Sequence, residues 1–90
     1  MKIELKEKVE KEIRKIREAM KEIKSSESEE AKDLFDLAKR YFEDAEYFFK
    51  NEQYIEAFEA ITISWTYLDS GLRLKIFSVP QHLKDYFTIE

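Results

Sequence analysis

The sequence has no cysteine, one glycine, one proline and one histidine among its 90 residues. Without cysteine there is no disulfide, no thiolate chemistry and no cysteine-ligated zinc. A single histidine argues against imidazole-rich metal sites and His-based proton relays, so no cofactor or metal is expected. Turns and hairpins draw on glycine and proline, which excludes an all-β fold with many tight turns. No apolar run approaches the roughly 18 residues of a membrane span, so a membrane is not an expected partner. Positive charge is not in excess either: 16 basic residues stand against 20 acidic ones, for a net charge of −4. Proteins that bind nucleic acid through its phosphates show a basic excess or a basic face, so nucleic acid is not an expected partner. The opening Met1-Lys2-Ile3-Glu4 runs into charge with no apolar leader, and we expect a cytoplasmic protein.

What the chain does have is charge and apolar residues set at helical spacing. At 43% hydrophobic it is too apolar for a disordered tail, and at 40% charged it is too polar for a membrane protein. Ninety residues allow one domain, 1–90. From Leu5 the apolar residues Val9, Ile13, Ile16, Met20 and Ile23 follow at gaps of 4, 4, 3, 4 and 3, predicting a helix over about residues 2–24. Its apolar stripe is narrow, about 80° wide, and the rest is Lys, Glu and Arg in (i, i+4) pairs such as Glu7–Lys11. Such a helix buries one edge. A second helix is expected over about 28–50, started by either Ser26 with Glu29 as a capping box or Ser28 as N-cap. Ala31, Leu34, Phe35, Ala38, Tyr41, Phe42, Ala45, Phe48 and Phe49 give it an arc of roughly 160°. Asn51 is the candidate for a left-handed residue at its C-terminus.

The third helix, about 53–77, is the unusual one. Tyr54, Phe58, Ile61, Trp65, Leu68, Leu72 and Ile76 form a ridge, and Ala57, Ala60, Ser64 and Gly71 lie beside it, continuing round to Ile63, Tyr67 and Leu74. Together they cover roughly 220°, more than a three-helix core can bury. Gly71 inside a helix costs about 1 kcal/mol relative to Ala, which points to a close crossing by another backbone, or less simply to a cavity. The tail, 78–90, has room for one short helix begun by Pro80, with Leu83, Tyr86 and Phe87 facing inward. It can cover part of the excess, on its own chain or on a neighbour's.

Chemistry-bearing residues are few. Asp69 and Arg73 are spaced (i, i+4) beside Trp65. They read as an ion pair that orients the helix, or as the polar anchor of a pocket in which Trp65, Asp69 and Arg73 hold a small anionic ligand. No nucleophile–base pair accompanies them, so no enzyme activity is expected. The carboxylates Glu43, Asp44, Glu46, Glu56 and Glu59 lack the histidines of a ferritin-like di-iron site and read as a solvated face. The aromatic residues lack the flanking basic residues of a base-stacking platform and read as core. His82 stands alone in the tail.

Three runs carry a resemblance: Tyr41-Phe42-Glu43-Asp44-Ala45-Glu46-Tyr47-Phe48, Tyr54-Ile55-Glu56-Ala57-Phe58-Glu59-Ala60-Ile61, and Trp65-Thr66-Tyr67-Leu68-Asp69-Ser70-Gly71-Leu72-Arg73-Leu74. They resemble an archaeal family known as domain of unknown function 357, over about residues 30 to 77. The resemblance implies a small helical bundle and no assigned biochemistry. That family often has Gly-Asp where this chain turns at Asn51-Glu52. The middle hairpin also resembles a tetratricopeptide unit, but one unit does not make a solenoid. It resembles the HEPN ribonucleases too. Those place a histidine four to six residues after an arginine, whereas His82 lies nine residues beyond Arg73.

The expected fold is all-α, an antiparallel up-down-up three-helix bundle with a short helical or irregular tail. The expected function is a non-enzymatic interaction module, a homodimer formed through Ala57, Ala60, Ser64, Tyr67, Gly71 and Leu74 of helix three. Another protein is the other occupant considered for that face, and small-anion binding at Trp65, Asp69 and Arg73 is the alternative function.

Overall fold

The computed structural model describes residues 2–89; Met1 and Glu90, the outermost residues of the expected domain and tail, lie outside the described residues. Three helices dominate: α1 (Lys2–Glu22), α2 (Glu29–Lys50) and α3 (Tyr54–Arg73). They run up, down and up, and α2 with α3 makes the most extensive pairing. Among the described residues the bundle is all-α apart from one two-residue antiparallel pairing, β1 (Lys24–Ser25) with β2 (Phe77–Ser78), in the register Lys24 to Ser78 and Ser25 to Phe77. A 3-10 helix, Gln81–Tyr86, follows Pro80.

The core is read directly from the spacing of apolar residues. Val9, Ile13, Ile16 and Ala19 are the buried edge of α1, and among the described residues its exposed side chains are Lys, Glu and Arg apart from Ile3. Ala31, Ala38, Phe42 and Ala45 line α2, and Ala57, Ala60, Ile61, Leu68 and Leu72 line α3. Ser28 is the N-cap of α2: its Oγ accepts a hydrogen bond from the Ala31 N–H at 3.1 Å, and Ser26 Oγ lies 3.1 Å from it. Two acidic residues in the first turn, Glu29 and Glu30, favour the positive end of the helix dipole.

Both long-helix ends differ from expectation in an informative way. Asn51 is not left-handed (φ −92°); it donates through Nδ2 to Tyr47 O, and the left-handed residue is Glu52 (φ 61°). Glu52 N–H bonds Phe49 O and Gln53 N–H bonds Phe48 O, a Schellman closure. Helix three stops at Arg73 rather than near Phe77, for the same reason. Lys75 is left-handed (φ 62°), with its N–H on Leu72 O and Ile76 N–H on Gly71 O. This second closure turns the chain back so that Phe77 folds over Gly71 and pairs with β1.

Candidate functional site

The strip of Trp65, Asp69 and Arg73 is brought together on α3, and it is already occupied. The chain's own segment Tyr86–Thr88 lies across it. Trp65 Nε1 donates to Tyr86 O at 2.7 Å, and the Trp65 and Phe87 rings stack at 6.2 Å with planes 9° apart. Asp69 is 7% exposed. Its Oδ1 accepts the Thr88 N–H at 2.9 Å, and Thr88 Oγ1 reaches Oδ2 at 2.7 Å. Arg73 Nε sits 3.4 Å from Asp69 Oδ2 and 2.9 Å from Thr88 Oγ1. Asp69 and Arg73 therefore form the ion pair read from their spacing, and a backbone segment fills the place considered for a small anion. At its outer edge Tyr86 Oη donates to Glu18 Oε1 at 2.8 Å, which ties the tail to α1. That hydrogen bond, followed by partial burial and the Glu18 charge, raises the Tyr86 phenol above its ordinary 10.0. The tail packs on its own chain. Leu83 and Phe87 are buried and Tyr86 half-buried, while His82 is exposed.

The small-residue flank of α3 does not face a second copy. Ala57, Ala60, Ser64 and Gly71 are buried inside the single chain. Ser64 Oγ donates to Ala38 O at 2.6 Å, a bond that marks the close crossing of α3 over α2. Tyr67 is half-buried and stacks on Tyr41 at 5.9 Å. Gly71 is covered by the Phe77 ring: a Cβ there would lie 2.8 Å from Phe77 Cγ and nearer still to two other ring atoms. Of the six residues expected at an interface, Leu74 alone is exposed. For Ala57, Ala60, Ser64 and Gly71 the assignment is corrected: they are buried within one chain, the first three in its core and Gly71 under Phe77, because small residues let neighbouring groups approach.

What remains open on α3 is a different face. Ile55, Glu59, Thr62, Thr66 and Arg73 are exposed along it with Ser70 half-buried among them, flanked by Ile63 and Leu74 on one side and Phe58 on the other. Ile55 is 65% exposed and Leu74 68%. Thr62, Thr66 and Ser70 each donate their hydroxyl to the carbonyl four residues back, at 2.8, 2.9 and 2.8 Å. Their polar hydrogens are satisfied within the helix, so covering them withdraws few hydrogen bonds from water. The solvated-face reading of Glu43, Asp44, Glu56 and Glu59 agrees with their exposure, and Glu46 pairs with Arg17 across α1 and α2 at 2.7 Å. Among the described residues no group of three or more metal-ligating side chains converges, and no helix is long and apolar enough to cross a membrane.

The family model described as protein of unknown function (DUF357) matches residues 6–77. The chain belongs to the DUF357 family. Its fold is similar to the crystal structure of DUF357 protein AF1782 from Archaeoglobus fulgidus, at 24% identity and a TM-score of 0.77 over 88% of this chain and 97% of that one. At that identity the likeness speaks for the bundle alone. No curated protein matches the chain. The DUF357 match contains Trp65, Asp69, Gly71 and Arg73 but ends before Tyr86–Thr88, the segment that covers them. Thr88 is the site residue that spacing did not single out. Its contacts join residues far apart in the chain, and nothing periodic announces them.

Proposed function

We propose that this DUF357 protein is a non-enzymatic interaction module that associates with a second copy of itself through the exposed face of α3. The observation that carries the reading is the contrast between surfaces. Among the described residues the exposed side chains of α1 are charged apart from Ile3, whereas those of α3 include Ile55, Phe58, Thr62, Ile63 and Thr66, the threonines with self-bonded hydroxyls. The centre of the face, Thr62, Thr66 and Ser70, carries no charge between Glu59 and Arg73 and is edged by Phe58, Ile63 and Leu74, and depletion of charge at the centre is the compositional sign of an interface. The non-enzymatic part is supported by how the buried polar side chains are engaged: Ser64 holds Ala38 and Asp69 holds Thr88. Both act on backbone, leaving neither free to act on a substrate.

The test is solution mass of the wild type and of Thr66→Glu. Thr66 is exposed at the centre of the strip, so the substitution leaves the chain folded while placing a charge in the contact. We expect the wild type to self-associate and the variant to run as a single chain of unchanged helicity. Equal association by both would place the contact elsewhere. Glutamate at Ala60 or Ser64 is not a usable probe, because both positions are interior.

A further inference from the structure

Resting on that self-association, the charge pattern along the strip fixes how two copies meet. Glu56 and Glu59 lie in the N-terminal half of the exposed face, and Arg73 lies at its C-terminal end. Two α3 helices laid parallel would set glutamate against glutamate and arginine against arginine. Laid antiparallel, they place opposite charges together, and the spacing fits a two-fold axis at Thr66. Glu59 and Arg73 are each seven positions from Thr66, and Thr62 and Ser70 each four. Seven positions are roughly 10 Å of helix, so Glu59 of one copy sits level with Arg73 of the other, twice over in the dimer. Thr62 then meets Ser70, and Thr66 meets itself. The steps from Ile55 through Glu59, Thr62, Thr66 and Ser70 to Arg73 are 4, 3, 4, 4 and 3, close to the spacing of helices that pack along one another at shallow angles.

We propose that the α3 face binds a second copy of this chain antiparallel about Thr66, with reciprocal Glu59–Arg73 contacts. Arg73 is suited to this because it is already held: its Nε reaches Thr88 Oγ1 at 2.9 Å and its Nη2 reaches Thr88 O at 3.4 Å, while the side chain stays 59% exposed. The tail presents the guanidinium to the partner without enclosing it. A two-fold arrangement also closes on itself, giving a dimer rather than a filament.

Two experiments separate this geometry from self-association in general. Glu59→Arg and Arg73→Glu each turn both contacts repulsive, and each should weaken the dimer about tenfold or more; the double variant exchanges the charges and should recover most of the loss. Because Arg73 also holds Thr88, a second probe leaves every charge in place. The chain has no cysteine, so single cysteines report proximity directly. Thr66→Cys sits on the axis and should form an intermolecular disulfide. Thr62→Cys should not, since its two copies are displaced by eight positions, roughly 12 Å, beyond the reach of about 7 Å between Cα atoms. Cross-linking of Thr62→Cys as readily as Thr66→Cys, or a dimer indifferent to the charge reversals, would overturn the antiparallel register and leave self-association standing. A wild type that stays a single chain at every concentration would remove both.

Discussion

Replacing Gly71 by alanine separates two physical effects of opposite sign. Gly71 lies in α3 with no positive φ, so by helix propensity alone alanine should stabilise the chain by about 1 kcal/mol. Against this stands the Phe77 ring, 4% exposed and seated where the new methyl would go, with its Cγ 2.8 Å from the Cβ position. The ring cannot shift freely. It meets Phe35 edge-on at 5.9 Å, and its backbone pairs with Ser25 in the β1–β2 contact. Displacing it forfeits most of the burial of a phenylalanine, about 1.5–3 kcal/mol, and loosens the strand pairing. The net expectation is a loss of about 1–2 kcal/mol. In a domain of this size each kcal/mol moves Tm by about 4–8 °C, so Gly71→Ala should lower it by about 5–15 °C. Thermal and urea unfolding followed by circular dichroism measure this, and a cycle with Phe77→Ala isolates the cause. In the Phe77→Ala background, Gly71→Ala should be neutral or stabilising by up to about 1 kcal/mol. A Gly71→Ala protein more stable than the wild type would refute the close approach.

Glu52 and Lys75 hold left-handed backbone without being glycine, so Glu52→Gly and Lys75→Gly should each add about 0.5–1 kcal/mol in urea unfolding; losses of that size would contradict the two Schellman closures. Asp69→Ala leaves the Thr88 N–H without its acceptor and should cost about 1–3 kcal/mol. It should also shift the emission of Trp65, the sole tryptophan, to the red as Phe87 leaves its face; an unchanged spectrum would mean the tail holds without Asp69. The Tyr86 phenol, raised by its bond to Glu18, keeps its proton to higher pH in the folded than in the unfolded chain. Its contribution to stability is therefore fully present below about pH 10 and is lost as pH rises through the folded value. In a tyrosinate absorbance titration Glu18→Gln should bring Tyr86 back down towards its ordinary 10.0, and no change on that substitution would discount the contact.

Much of the bundle was legible because it follows helical spacing. The narrow seam of Val9, Ile13 and Ile16, the apolar arc of α2 and the Ser28 cap depend on neighbours within a few residues, and local chemistry decides them. Gly71 and the small residues correctly announced a close crossing. Which backbone made it was not legible: α2 and Phe77 of the same chain fill the space that an excess apolar arc had suggested for a second copy. The two-residue β1–β2 pairing is too short to show any period. The closures at Glu52 and Lys75 use residues with no preference for left-handed backbone, so composition pointed instead to Asn51. At the Trp65–Asp69–Arg73 strip the side chains were recognisable from spacing, but their occupant was not, since Thr88 reaches Asp69 across 19 residues.

Whether a second copy covers the exposed face of α3 is read from solution mass, by light scattering after gel filtration. A single helix face falls at the small end of interfaces, below about 1,200 Å², so loading should span about a hundredfold range into the high micromolar. Self-association through this face predicts a mass that climbs towards twice that of the chain as concentration rises, and a Thr66→Glu protein that stays at the single-chain value throughout. A wild type that holds the single-chain mass over the whole range would contradict it.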